Sequence, residues 1–331
     1  MDDTDSLLLR TNLTLGFDQL LKRVQENYPA IGRVLSYQPM HEGYDNANFK
    51  LKTTTGVYLL KVFSRNYTVR NVEDNVMVHN TLLKAGVPVP EVITGETGQL
   101  FLVEDMGKHK VFLIVTGFFE GESLEHSGVD LRDIQIVSNY LLTINSLDLE
   151  IAENYDAWGA RNLLTEFEKK KQFLDFSSLK LVEAVVERFK TIDFEVLPKS
   201  LIHGDLQRKH VLKNTNHAYM LIDFGCINFD ARVLDSAIFL ANFCFDPKNW
   251  EKRTAILEII RIQCFEPMHF NDAEIRVLPE LVRAAYALHL LNCLYLESVH
   301  NDKSLQTQNW RNFSSQMLEL SGNWELNNGR K

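Results

Sequence analysis

The chain has 331 residues, 45% of them apolar and 24% charged, enough to bury a large core and long enough to favour two lobes over one. A formal net charge of −9 argues against a general nucleic-acid surface and mildly favours a cationic or zwitterionic small partner. The longest apolar stretches, Val111 to Val115 and Ala284 to Leu296, are too short or too broken by polar residues to span a bilayer, so no membrane partner is expected. The N-terminus, MDDTDSLLLR, has acids where a signal peptide carries positive charge, and the expected location is the cytoplasm. Cys226, Cys244, Cys264 and Cys293 lack the close pairing of a zinc site and read as reduced thiols. Nothing in the sequence sets an oligomeric state.

In chain order, residues 14 to 28 carry Leu15, Phe17, Leu20, Leu21 and Val24 at roughly helical spacing, an amphipathic helix that reads as an appendage to the main fold. From Arg33 to about Phe119 the texture is mostly strand: RVLSYQPM, NFKLKT, a TTTG turn, VYLLKVF, then GQLFLVED and KVFLIVTGF. Val72 to Lys84 breaks this run with helical spacing and stops at Ala85-Gly86, ahead of Pro88 and Pro90. An N-terminal lobe over residues 1–119, with five strands and one inserted helix, is therefore expected. After GFFEGESL, helices are expected at 131–147, 161–175, 178–191, 250–264, 272–297 and 304–320, interrupted by LIHGDLQRKHVLKNTNHAYMLIDFG, which reads as two short strands. This is a mainly helical C-terminal lobe over 120–331. Without a repeat or low-complexity linker, a short connection near 117 to 122 should leave a cleft between the lobes.

The chemistry concentrates in His203-Gly204-Asp205-Leu206-Gln207-Arg208-Lys209-His210, followed thirteen residues later by Asp223-Phe224-Gly225. A hairpin folding about Asn216-His217 sets His210 opposite Asp223 at its open end, so two potential metal ligands meet, with Asp205 on the entering loop. This suits phosphoryl transfer, in which one carboxylate orients an acceptor hydroxyl and takes its proton while other ligands hold magnesium on the donor phosphates.

The order and spacing of H-G-D, a five-residue step to a metal ligand, and I-D-F-G resemble the aminoglycoside phosphotransferase superfamily, which includes choline, type II homoserine, methylthioribose and macrolide kinases. The texture is closest to type II homoserine kinase-like members. The resemblance implies an α+β, bilobal protein-kinase-like fold with an antiparallel-sheet N-lobe, and ATP and Mg2+ as cofactors. It also implies Asp205 as catalytic base, His203 as support of the loop and Asp223 as the main magnesium ligand. Most relatives have Asn where this chain has His210, though macrolide kinases also carry His. A neutral imidazole can ligate a divalent ion, but magnesium prefers oxygen, so the site should hold its second ion more weakly or accept manganese; the alternative is that His210 only caps a strand.

Lys61 lies inside the apolar strand VYLLKVF and must snorkel or meet an anion. In the resembling family this lysine reaches the nucleotide phosphates and pairs with a glutamate on the inserted helix. By register that partner falls near Asn75, and of the neighbouring acids Glu73 and Asp74, Glu73 is the candidate. In the turn from His41 to Asn48, backbone N–H groups near Gly43 and the amides of Asn46 or Asn48 can meet phosphate oxygens; the same residues are also ordinary hairpin chemistry. The connection Val115 to Gly121 resembles the family's adenine-reading hinge, which implies an acceptor carbonyl at Gly117 and a donor N–H at Phe119. Arg208 and Lys209 either neutralise the transferring phosphate, or hold a substrate carboxylate, or are simply solvated. In the family the helical region 272–320 forms part of the acceptor pocket.

The expected function is an ATP-dependent small-molecule O-kinase acting on a hydroxylated metabolite such as homoserine, an amino alcohol or an aminosugar. The alternative is a nucleotide-binding pseudokinase or regulatory module, motivated by His210 and by the missing clear partner of Lys61. Protein phosphorylation fits less well, because little chain separates Asp223 from the helix beginning near Leu234.

Overall fold

Period-two alternation along five segments builds one antiparallel sheet: β1 (Val34–Met40), β2 (Ala47–Thr53), β3 (Val57–Val62), β4 (Leu102–Asp105) and β5 (Lys110–Gly117), in the order β1-β2-β3-β5-β4. The computed structural model describes residues 7–8, 11–13, 15–40, 46–322 and 324. Register sets Asn48 opposite Lys61 and Lys61 opposite Ile114, while Thr116 faces Leu59. One face of the sheet presents Phe49, Leu51, Leu60, Val62, Leu113 and Val115, and the other presents Phe112 and Ile114.

Both faces are apolar, and each is covered. Helix α1 (Phe17–Asn27) lays Phe17, Leu20 and Val24 on the first face, in one cluster with Tyr28 and Ile31. Helix α2 (Val69–Lys84) lays Val72 and Val76 on the second, beside Phe63 and Val92. The leading helix is therefore a core element and not the appendage its position in the chain suggests, because without it the first face would be open to water. A reciprocal Thr68–Asn71 cap starts α2. Its end is set by Gly86 at φ 82°, where Val87 N–H bonds back to Leu82 O at 2.9 Å.

The chain divides into two compact units. The first takes residues up to Gly121 together with Leu212–Ile222; the second takes Glu122–Val211 and the chain from Asp223 onward. The returning segment carries a hairpin of β8 (Val211–Lys213) and β9 (Tyr219–Leu221), following β6 (Glu122–Ser123) and β7 (Lys199–Ile202) in the chain. Within the first unit, Leu221 N–H donates to Pro88 O at 2.7 Å. The turn differs from the expected two-residue form. Asn214 N–H pairs with Ala218 O at 3.0 Å, the Asn214 Oδ1 accepts the N–H groups of Asn216 and Ala218, and His217 takes the left-handed conformation at φ 58°. Three residues loop between strands paired one position out of the expected register, because the Asn214 side chain supplies the turn's internal acceptor.

The second unit is mainly helical: α3 (Leu124–Ser127), α4 (Leu131–Ser146), α5 (Leu163–Lys170), α6 (Phe176–Phe189), α7 (Val233–Phe239), α8 (Arg253–Ile260), α9 (Asp272–Val299) and α10 (Leu305–Ser321). Helix α9, started by an Asn271–Glu274 capping box and buried through most of its length, packs against α5, α6, α7 and α10. The short strand β10 (Asn228–Ala231) pairs antiparallel with β7, setting Asn228 opposite Ile202. The sequence NFDA shows no strand pattern of its own, and β7 supplies what makes it one. Among the described residues, no helix is long and apolar enough to cross a membrane.

If α1 is core, Leu20→Ala, at a fully buried position, should cost about 2–4 kcal/mol in urea unfolding, whereas truncating the exposed Lys22 on the same helix should leave the midpoint unchanged.

Candidate active site

Strand β7 delivers the fully buried His203 into a loop whose backbone is held by a single acid. Asp235, in the first turn of α7, accepts the N–H of His203 on one oxygen and that of Gly204 on the other, both at 2.8 Å. Asn145 Nδ2 donates to the same carboxylate at 2.9 Å and to Leu201 O at 3.0 Å, tying α4 to the strand that feeds the loop. Burial raises the Asp235 pKa, opposed by nearby His203 and by the two backbone donors. Sequence reading missed this residue. The available signal was a lone acid in the apolar run VLDSAIFLANF, which must be paired if the helix is buried.

The turn at Gly204 has φ 77°, and a Cβ there would lie 2.3 Å from Cys226 O. Only glycine lets the loop pass this close to the segment after Asp223. Asp205 follows, its side chain 13% exposed, and burial pushes its carboxyl up to about 7, opposed by Lys209 and the Gln207 amide and reinforced by Asp223 and Asp156. Gln207 Nε2 donates to Asp205 Oδ1.

His210 and Asp223 do come together. The Nδ1 of His210 lies 2.6 Å from Asp205 O, so that nitrogen carries the proton and Nε2 is left as a lone pair. Nε2 faces Asp223 Oδ2 at 3.4 Å. Burial lowers the imidazole pKa, so the ring is neutral at pH 7. Asp223 itself sits in the left-handed region at φ 64°, a conformation Asp tolerates better than most residues and one that marks functional turns. A lone pair and a carboxylate oxygen facing each other fit a divalent cation, and this donor set passes that test. Among the described residues no group of three or more His, Cys, Asp and Glu side chains is arranged to hold a metal ion. A metal here would therefore complete its shell with phosphate and water oxygens, as magnesium commonly does.

A second loop closes on the same segment. Asn154 Nδ2 donates to Gly225 O at 2.8 Å, Asn228 Nδ2 to Asn154 O at 3.1 Å, and the Cys226 thiol to Asp156 Oδ2 at 2.9 Å. From its other side Asn292 Nδ2 on α9 donates to Ala157 O at 2.9 Å. Burial raises the Asp156 carboxyl and pushes the Cys226 thiol well up, so the sulfur stays protonated and donates. No pattern in the sequence singles out Asn154 or Asp156.

Arg208 is only partly exposed, and its guanidinium is already engaged by protein acceptors. Its Nε donates to Phe243 O at 2.6 Å and its Nη1 to Asp246 at 3.0 Å, so it is committed to the carbonyl end of the helical run leaving α7. The Lys209 ammonium lies 6.0 Å over the Trp310 ring and lowers the Asp205 pKa.

In the first unit, Lys61 is half-buried on β3 with its ammonium 5.3 Å over the Phe63 ring, and it makes no ion pair among the described residues. Glu73 forms no ion pair with it: it is exposed on α2, whereas Val72, Asp74, Asn75 and Val76 turn inward. The buried Asp74 pairs with Arg70 at 3.1 Å. Near Lys61 on the sheet, Asn48 Oδ1 and Thr116 Oγ1 are buried without hydrogen-bond partners among the described residues. Asn46 Oδ1 accepts Ser64 N–H at 3.0 Å, which leaves its amide NH2 for a ligand. Gly43 lies outside the described residues. Gly117 donates its N–H to Glu91 O at 2.9 Å, and a Cβ there would meet nothing within 4 Å. The Phe119 ring occupies the space a Cβ at Gly121 would need.

The five-stranded sheet with its crossing helix, the helical unit and the His-Gly-Asp loop define the class of small-molecule kinases with a protein-kinase-like fold. Residues 36–258 match the model of the phosphotransferase enzyme family, APH, and the chain belongs to that family. A homoserine kinase of Methylobacterium radiotolerans is 26% identical over 277 residues, covering 80% of this chain and 82% of its own. An amicoumacin kinase solved with AMP-PNP and Ca2+ has the same fold, with TM-score 0.65 at 12% identity over 95% of both chains. A microcompartment-associated aminopropanol kinase gives 0.62 at 15% identity, covering 92% of this chain and 96% of its own. The protein is an ATP-dependent phosphotransferase that acts on a small-molecule hydroxyl.

Gly204→Ala forces both a positive φ and a backbone clash at 2.3 Å. It should cost about 2 kcal/mol or more of unfolding free energy and most of the phosphotransfer rate, measured by urea denaturation and ADP release.

Proposed function

We propose that the protein transfers the γ-phosphoryl group of ATP to the hydroxyl of an amino-bearing metabolite, such as homoserine, an amino alcohol or an aminosugar, with Asp205 as the base. The observation that carries this reading is a buried carboxylate beside a neutral imidazole whose lone pair faces a second carboxylate, all within the loop system that Asp235 holds. Of the candidate acceptors, homoserine comes first for testing, because the homoserine kinases align over four-fifths of this chain.

In this reading Asp205 hydrogen-bonds the acceptor hydroxyl, aims its oxygen and accepts its proton as the new O–P bond forms. Asp223 and His210 are the residues that would hold Mg2+, which when bound neutralises charge on the donor phosphates. The first unit binds the nucleotide: Lys61, the amides of Asn46 and Asn48 and the backbone N–H of Gly43 serve the phosphates, and the backbone from Gly117 to Phe119 serves the adenine. The second unit supplies the catalytic loop, the metal ligands and the acceptor pocket. Lys61 has no acid on α2 to hold it, so phosphate contacts must orient it, which supports weak ordering of this lysine before ATP arrives.

Purified protein incubated with ATP, Mg2+ and a panel of hydroxylated metabolites should release ADP only with an acceptor; nucleotide binding without turnover on any acceptor would overturn the reading. Asp205→Ala should lower kcat at least ~100-fold with ATP affinity nearly unchanged. His210→Asn exchanges a nitrogen ligand for oxygen and should shift the half-saturating Mg2+ concentration several-fold relative to Mn2+. An unchanged metal dependence would remove His210 from the ligand set.

A further inference from the structure

Gln207 is 1% exposed and works through one nitrogen in two directions. Its Nε2 donates to Asp205 Oδ1 and lies 3.4 Å from His289 Nε2 on α9. His289 Nδ1 is 2.9 Å from Ala285 O, one helical turn back, so the proton sits on Nδ1 and Nε2 is an acceptor. Burial depresses this imidazole to about 4, which keeps that lone pair free at pH 7. The ring is fixed as well: Trp310 stacks on it at 4.9 Å and 17°, and Trp158 lies against it at 5.7 Å.

The orientation of the amide follows from this setting. Reversed, it would set Oε1 against a carboxylate oxygen and an imidazole lone pair at once, which is repulsive on both sides. As placed, Oε1 is buried with no hydrogen-bond partner among the described residues. A buried carbonyl left unpaired is a penalty, and a residue kept only for stability gives no reason to bear it.

We propose that Gln207, held by His289, is the positioning residue of the reaction: it occupies Asp205 Oδ1 and so presents Oδ2 to the acceptor hydroxyl. The inference rests on the reading of Asp205 as the base. In the step it serves, the acceptor O–H bond breaks and its proton passes to Oδ2. The freed oxygen pair forms the O–P bond while the bond from γ-phosphorus to the bridging oxygen breaks and ADP leaves. Because His289 is gripped by Trp158 and Trp310, the carboxylate is aimed from α9 and α10 and from the loop of Asn154 to Trp158, and not only by its own loop. A misaimed base loses rate without losing substrate, since proximity and orientation act on the chemical step.

The experiment is steady-state kinetics with ATP, Mg2+ and L-homoserine, together with basal ATP hydrolysis without acceptor, on Gln207→Ala, His289→Phe, Asp205→Asn and the double variant Asp205→Asn/Gln207→Ala. Gln207→Ala should lower kcat ~10- to 100-fold with both KM values within about threefold. His289→Phe keeps an aromatic ring between the tryptophans but removes the acceptor; it should move kcat in the same direction by a smaller factor. In the Asp205→Asn background, Gln207→Ala should have no further effect. Thermal midpoints and binding of a nonhydrolysable ATP analogue, measured alongside, separate misfolding from misaiming, and His289→Phe carries the test if Gln207→Ala does not fold. If Asp205→Asn keeps the wild-type rates, the reading of Asp205 as base fails. If Asp205→Asn is inactive yet Gln207→Ala and His289→Phe keep kcat, or raise only the KM for homoserine, that reading stands and the positioning role is overturned.

Discussion

The buried carboxylate of Asp235 is the interaction on which the site depends. It accepts two successive backbone N–H groups, one on each oxygen, at the turn that leads into Asp205. Those donors have no water to turn to, so the acid both satisfies them and dictates the path of the loop. Gly204 then takes a conformation that places it against Cys226 O. The loop is thereby locked to α7 on one side and to the segment following Asp223 on the other. Asn145 extends the lock to α4.

From that anchor, three groups act in series. The Asp205 carbonyl fixes the tautomer of His210, the lone pair of His210 faces Asp223, and the Asp205 carboxylate is gripped by Gln207. Each contact uses a different atom of the same short loop. The backbone thus performs a chemical task, since a carbonyl decides which imidazole nitrogen is free. The loop from Asn154 to Trp158 braces the arrangement by bonding to Gly225, Cys226 and α9.

Much of this was legible because the motif is local. His203, Asp205, His210 and Asp223 stand close in the chain, and the hairpin between them brings the last two together even though its turn has three residues and not two. The five strands and the main helices follow from alternation and helical spacing, which short-range sterics impose. What was not legible comes from partners far apart in sequence. The role of Arg208 depends on carbonyls at Phe243 to Phe245. Glu73 was chosen by charge, and the helical phase of α2 turns it outward. The strand at Asn228–Ala231 exists only because β7 lies beside it.

The sequence alone determined the family, the order of elements and the carboxylates proposed to react, because these are carried by residue types at fixed short spacings. Tertiary structure alone decided how those carboxylates are held. The acid under the loop, the amide and imidazole behind Asp205, the core role of α1 and the release of Lys61 from any acid on α2 all depend on which surfaces exclude water together. Burial is what turns an ordinary Asp, Gln or His into a group that must find a partner, and burial is set by the whole fold, not by neighbours in the chain.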